Sequence, residues 1–207
     1  MTDSLAGRWN ERYGQEEYAY GTTPNAFFRE QIHRLPPGTA LFPAEGEGRN
    51  AVYAAQLGWN VMAFDVSEAG REKAIRLAKS NDVSIEYLVS DVASVQYPAE
   101  SFDALVLIYA HFPGPEKAIA QKQLLGYLKK GGVVLFEAFS KNHLEYVLKD
   151  ERIGGPKDLE TLYSSEEIRE IFSCCDSIEL LETEIELQEG LYHNGIGSVI
   201  RFTAVKG

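Results

Sequence analysis

Apolar residues recur along the chain in two rhythms. From Thr39 onward, short apolar runs trade places with stretches in which apolar residues return every three or four positions, which marks strands alternating with amphipathic helices. The runs predict strands at 39–42, 61–65, 84–88, 102–108 and 133–136. Helices are predicted at 50–57, from the cap Ser67 through Ala74, Ile75 and Ala78, and from about 115 to 128, the last ending at Gly131-Gly132. The run at 102–108 is nearly all apolar, as a parallel strand covered on both faces must be, and belongs at the centre of the sheet.

Outside this stretch the rhythm changes. Trp9 to Tyr13 reads as one amphipathic turn, Tyr20 to Asn25 as a loop, and Thr22 or Asn25 as the cap of a helix through Phe27, Phe28 and Ile32 that Pro36-Pro37-Gly38 stops. The aromatic residues here either pack the segment onto the domain or form a lid. After Glu137 come a loop at 153–157 and a helix at 164–172. Ile178, Leu180 and 185–187 then suggest one strand and 198–205 another, joined by 188–197 as an antiparallel pair on the sheet edge.

Strand and helix alternation implies right-handed crossovers and a doubly wound α/β sheet, mostly parallel, with helices on both faces. At 207 residues the chain fits one domain: an N-terminal helical lid at 1–38, a ligand-binding core at 39–137, and a C-terminal helix and hairpin at 138–207. No segment approaches the run of apolar residues that a membrane span needs. A net charge of −11 repels phosphate backbones and anionic lipid, so the expected partner is a small molecule, not nucleic acid or membrane. Oligomeric state is not legible. The first residues lack a basic start and an apolar core, which predicts a cytoplasmic location. The adjacent Cys174 and Cys175 suit reduced thiols, and the four histidines show no metal-ligand spacing, so no metal is expected.

Candidate chemistry gathers at Leu41-Phe42-Pro43-Ala44-Glu45-Gly46-Glu47-Gly48-Arg49-Asn50. Gly46 and Gly48 let backbone pass close to a ligand, and the helix that follows presents its first N–H groups. Asp65, at the end of the second run, stands where ribose hydroxyls are read. Read literally, Gly46 to Ala51 is G-x-G-x-x-A, the fingerprint of a nicotinamide-dependent oxidoreductase. Against a diphosphate stand the acids Glu45 and Glu47, a further acid at Asp91, and the closing hairpin in place of a second mononucleotide half. A cationic sulfonium nucleoside suits these acids better.

The stretches Trp9 to Tyr13, Tyr20-Gly21, Pro24-Asn25, Gly46 to Ala51, Asp65-Val66-Ser67, Ser90-Asp91-Val92, Leu128 to Gly132, Glu137-Ala138-Phe139, Gly154 to Lys157 and Leu162-Tyr163-Ser164 together resemble the class I S-adenosylmethionine-dependent methyltransferases. Within them the chain is similar to the small-molecule branch of tellurite-resistance and thiopurine methyltransferase-like proteins. The resemblance implies a Rossmann-like seven-stranded sheet, S-adenosylmethionine as cofactor, and a soft sulfur, selenium or tellurium acceptor. It places cofactor contacts at Trp9, Tyr13, Ala44, Glu45, Gly46, Gly48, Asp65, Val66, Asp91, Val92 and Tyr109. The family's Asp-x-Gly-x-Gly-x-Gly is broken by Phe42 at the acid and Ala44 at the first glycine, which also admits a protein that binds the nucleoside without turnover. A base, if the acceptor is protonated, is expected at His111, just past the central strand. His193 falls in the predicted hairpin tip and is expected to be exposed, and Glu137 either meets substrate or caps the next segment.

Overall fold

In the computed structural model, which describes residues 4–207 apart from the side chains of residues 177 and 178, the central run Phe102–Ile108 is strand β4, and Leu105, Val106 and Leu107 are fully buried in it. Around it lie β1 (Thr39–Pro43), β2 (Asn60–Asp65), β3 (Glu86–Val89), β5 (Leu128–Phe139), β6 (Cys175–Glu189) and β7 (His193–Lys206). The seven strands form one sheet in the order β3-β2-β1-β4-β5-β7-β6. β1 to β5 pair in parallel, and β7 runs antiparallel to both β5 and β6. The doubly wound, mostly parallel sheet with a C-terminal antiparallel hairpin is therefore as expected. The side chain of Ile178 lies outside the described residues.

The helices are α1 (Leu5–Tyr13), α2 (Ala26–Ile32), α3 (Arg49–Gln56), α4 (Glu68–Ser80), α5 (Gly114–Tyr127), α6 (Leu144–Lys149) and α7 (Ser165–Ile171). None is long and apolar enough to cross a membrane. Side chains alternate across each strand, so β1 sends Leu41 to one face and Phe42 to the other. Leu41, Leu105, Phe136 and Phe202 join Leu124 of α5 and Ile168 of α7, while Phe42, Ala63 and Val106 join Phe28 of α2 and Ala51 of α3. Phe42 meets Phe28 edge to face at 5.8 Å, so the position that breaks the family pattern is a core residue under the N-terminal segment. Caps fix where the helices begin: Ser4, Asn25, Ser67 and Ser164 each accept a first-turn N–H, and Ser164 with Glu167 completes a capping box.

Two boundaries differ from expectation. β5 begins at Leu128, where the pattern predicts a helix end, because Gly131-Gly132 forms a kink inside the strand and not a helix cap. Phe102 pairs with Leu128 and Ala104 with Val133, a register shift that absorbs the extra residues as a bulge. The hairpin is also tighter. β6 and β7 pair from Cys175↔Lys206 to Glu189↔His193, so only residues 190–192 turn the chain.

Candidate active site

The carboxyl ends of β1, β2 and β4 meet at the point where strand order reverses, and the loops beyond them form a crevice. After Pro43 the chain enters left-handed backbone at Ala44, Gly46 and Gly48, with φ of 51°, 61° and 85°. A Cβ on Gly46 would stand 2.6 Å from the Tyr13 hydroxyl, and one on Gly48 would stand 2.6 Å from Cβ of Ala74 on α4. Both glycines are thus required by close approach as well as by conformation. Ala44 takes the same kind of backbone at a cost of roughly 1–2 kcal/mol. The loop therefore keeps its glycine-type geometry although its first glycine is replaced.

Asp65 ends β2 and turns back into this loop. One carboxylate oxygen accepts the Gly46 N–H at 3.1 Å and the other accepts the Ser67 N–H at 2.9 Å. Burial raises its pKa to about 6 against these hydrogen bonds. Each oxygen keeps a lone pair, the equipment for two ribose hydroxyls.

Glu45 does something the sequence does not disclose. Its Oε1 accepts the N–H groups of Asn50 at 2.9 Å and Ala51 at 2.8 Å, so a carboxylate of the chain itself occupies the start of α3. The N–H groups expected to face a ligand are already bonded. A diphosphate approaching here would meet a carboxyl group in place of an open anion site. Burial raises Glu45 to about 7. Glu47 points the other way, into a buried ion pair with Lys73 at 2.8 Å. The acid-rich cradle thus suits a nucleoside with a cationic centre, and the donor and acceptor set fits S-adenosylmethionine.

The N-terminal segment closes over the cradle. Tyr13 is buried against Gly46, and Trp9 stacks on it with ring centroids 5.2 Å apart. Oδ1 of Asn10 accepts the Ser67 hydroxyl at 2.8 Å and the Ala69 N–H at 3.1 Å. Farther along, Nζ of Lys73 donates to the Glu17 carbonyl at 2.6 Å, and the Ala19 N–H donates to Glu47 at 2.8 Å. The Glu47–Lys73 pair is therefore a latch between the lid and the glycine loop. Val66 lies between Asp65 and the Ser67 cap. Just beyond β3, Asp91 is exposed and accepts the Ser94 N–H at 2.7 Å, while the Val92 carbonyl accepts Nε2 of Gln123.

Past β4 lies a second cluster of buried polar and aromatic groups. Tyr109 has φ of 54°, an unfavourable conformation for an aromatic residue, and its buried hydroxyl has no hydrogen-bond partner among the described residues. Its ring packs 4.7 Å from both Phe139 and His193. Beside it, the fully buried Glu137 accepts Nδ2 of Asn25 at 2.7 Å and is paired with Arg201. Glu189 accepts Arg49 at 3.0 Å, His193 at 2.8 Å and Asn25 at 3.3 Å. Tyr109, Asn25, Arg49, Glu189 and Arg201, with Tyr20 and Arg29, line a cavity of about 280 Å³.

The expected base is placed elsewhere in the network. Nδ1 of His111 bonds the Thr161 carbonyl at 3.2 Å, and Nε2 accepts the Phe139 N–H at 3.2 Å. Burial pushes its pKa down to about 3, so the ring is neutral and has no nitrogen left for a proton from substrate. His111 is a structural tie between β4, β5 and the loop before α7. His193, expected in an exposed tip, is 4% exposed because β7 begins with it. Asn25, Arg49, Glu189 and Arg201 are not among the site residues that the sequence singles out. For Glu189 the sequence signal is the alternation Ile185, Leu187, Glu189 along an apolar strand, which places an acid on the same face as two apolar residues.

Comparison with known proteins gives methyltransferases. Residues 43–132 match the model of a methyltransferase domain. A 2-methyl-6-phytyl-1,4-hydroquinone methyltransferase of Synechocystis is 30% identical over 106 residues, which are 50% of this chain and 33% of that protein. The matched stretch therefore spans about a third of the length of this curated relative. A solved structure described for the conversion of a disulfide bond into a thioacetal group during echinomycin biosynthesis superposes with a TM-score of 0.77 at 17% identity, covering 100% of this chain and 91% of that one. Magnesium protoporphyrin IX methyltransferase of Synechocystis, solved with bound S-adenosylhomocysteine, gives 0.65 at 16% identity over 99% and 88%.

Proposed function

We propose that this chain, whose residues 43–132 form a methyltransferase domain that takes S-adenosylmethionine, moves the methyl group to a small molecule with a soft nucleophilic atom. The observation that carries the cofactor half is the Glu45 carboxylate on the first N–H groups of α3. It disfavours the diphosphate of a nicotinamide cofactor and favours a positive centre. Two observations support the soft acceptor. One is the likeness to the echinomycin-pathway structure, whose chemistry converts a disulfide into a thioacetal. The other is the pair of aromatic residues, Tyr20 and Tyr109, that line the cavity.

The bound cofactor supplies an electrophilic methyl group on a positively charged sulfur. The chain's part is to place and enclose. Asp65 takes the ribose, the loop of Ala44, Gly46 and Gly48 gives backbone approach, and Trp9 with Tyr13 covers the site. Val66, Asp91 and Val92 form the adenine side. Tyr109 and the network of Asn25, Glu137 and Glu189 shape the acceptor cavity. Alignment of an in-line displacement and exclusion of water account for most of the rate in such a site. The branch is that of the tellurite-resistance and thiopurine methyltransferase-like proteins, and the setting is cytoplasmic. A panel of thiols, selenols and tellurium compounds assayed for methyl transfer tests this reading. Methylation of at least one is expected, and turnover confined to carbon or oxygen acceptors contradicts it.

A further inference from the structure

Arg201, on β7 directly opposite Glu137 of β5, is held from two sides. Its Nε donates to the fully buried Glu137, which also accepts Nδ2 of Asn25, and its guanidinium lies over the Phe27 ring at 5.5 Å. Neither Nη makes a hydrogen bond among the described residues. The end of the fork, with its parallel donors, is therefore oriented and unused, and Arg201 lines the cavity of about 280 Å³. Arg29, exposed on α2, lines the same cavity and has no ion-pair or hydrogen-bond partner among the described residues.

The charge of this wall is opposite in sign to that of the chain. Acids outnumber Lys and Arg by 31 to 20 overall, yet here Glu137 offsets Arg201, Glu189 offsets Arg49 at 3.0 Å, and Arg29 is left over. Glu189 is already engaged, since it accepts His193 and Asn25 as well. Glu186 also borders the cavity, but alternation turns its side chain to the other face of β6, where it accepts Nε2 of Gln188 at 3.0 Å. Apolar and aromatic groups, among them Pro24, Ile185, Leu187 and Tyr109, complete the lining. Arg49 follows Gly48 directly, so the cavity also borders the glycine loop.

Resting on the methyl-transfer reading above, we propose that the acceptor is a small thiol bearing a carboxylate, and that the Nη end of Arg201 binds this carboxylate in the field of Arg29. The planar fork meets both carboxylate oxygens at once. One surplus positive charge matches one carboxylate better than the near-double charge of a phosphate monoester. At about 30 Å³ for each water-sized group, the cavity holds roughly nine such groups, the size of a mercaptobenzoate or a short mercaptoalkanoate. The carboxylate takes no part in bond making and decides which thiols are held.

Calorimetry in the presence of S-adenosylhomocysteine tests the subsite with para-(methylthio)benzoate, the product such an acceptor leaves, against the uncharged para-(methylthio)benzamide and against para-(methylthio)benzenesulfonate. The benzoate is expected to bind at least about tenfold more tightly than the amide, one charge-assisted contact expressed as a ratio, and more tightly than the sulfonate. Arg201→Lys keeps a cation for Glu137 and loses the fork, so the benzoate-to-amide ratio is expected to fall toward one. Arg29→Met breaks no contact among the described residues and is expected to lower the ratio by about threefold. Equal affinity for benzoate and amide, no binding of either, or a ratio that neither substitution lowers overturns the subsite. Sulfonate binding as tight as that of the benzoate overturns the carboxylate assignment. Where Arg201→Lys does not fold, the wild-type comparison and Arg29→Met decide. Turnover separates this subsite from the reading it rests on. Methylation of para-mercaptobenzamide as fast as of para-mercaptobenzoate overturns the subsite and leaves the soft acceptor in place, whereas tight benzoate binding with no thiol methylated overturns the soft acceptor and with it the thiol half of the proposal.

Discussion

The Glu45 carboxylate sits 2.8 Å from the backbone nitrogen of Ala51 and closes the N-terminus of α3 from within the chain. Many helices that follow a glycine loop offer those N–H groups to a ligand phosphate. Here the same groups hold a carboxyl group, and the loop that carries it still takes left-handed backbone at Ala44. The glycine-type loop geometry is thus combined with a helix start whose Asn50 and Ala51 N–H groups are taken by the chain's own carboxyl group.

This arrangement has a pH signature. Glu45 and Asp65 are raised to about 7 and about 6 in the folded chain, above their ordinary values of 4.5 and 3.8. The folded state therefore binds more protons than the unfolded state across that window, and stability falls as pH rises through it. Thermal unfolding of wild type against Glu45→Gln between pH 5 and 8 is expected to show a Tm difference that shifts in favour of the variant as pH rises. A difference independent of pH contradicts the assignment.

His111 gives the opposite slope. Its pKa is about 3 when folded, so the unfolded chain takes up the proton first and stability declines as pH drops below the ordinary 6.5. His111→Phe leaves the Phe139 N–H and the Thr161 carbonyl without partners, at about 1–3 kcal/mol. Chemical denaturation should record that loss. The pH profile of methyl transfer should keep its shape, which a base at His111 would not allow.

The lid latch is testable by proteolysis. Lys73→Met leaves Glu47 as a buried charge without its partner, a change of about 3–5 kcal/mol. Cleavage is expected to begin in residues 5–19, because the same Lys73 holds the Glu17 carbonyl. First cleavage in the hairpin at 190–192 would show that the pair does not tie the lid. Glu47→Gln with Lys73→Met should recover much of the loss, since no uncompensated charge remains.

Gly46→Ala places a methyl group against the Tyr13 hydroxyl on backbone with φ of 61°. The strain is about 1–2 kcal/mol and falls on the lid. Affinity for S-adenosylhomocysteine by calorimetry should drop by about tenfold or more, which is that energy expressed as a binding ratio. Unchanged affinity would place the cofactor away from Gly46.

The sequence carries the parts of this design that are local. Apolar runs locate the five parallel strands, and Asn25, Ser67 and Ser164 announce helix starts, because strands buried on both faces and capped helices write their cause into neighbouring residues. Gly131-Gly132 misleads, since two glycines serve a bulge as well as a helix end and only the Phe102↔Leu128 pairing decides between them. The hairpin loop reads too long because Gln188 to Gly197 is polar and glycine-rich, yet backbone pairing overrides that preference up to Glu189↔His193. The same preference hides His193. The Asn25, Glu137 and Glu189 cluster is illegible for a different reason: Glu137 and Glu189 lie 112 and 164 residues from Asn25 along the chain, and the three meet only when the sheet closes.

Titrating the wild-type protein with S-adenosylhomocysteine and, separately, with NADH, alongside Asp65→Asn, tests the cradle most directly. Binding of the nucleoside with loss of at least about tenfold affinity in Asp65→Asn, and no heat from NADH, is the expected result, since the variant gives up a charge-assisted ribose contact. Saturable binding of NADH with none of S-adenosylhomocysteine would contradict it.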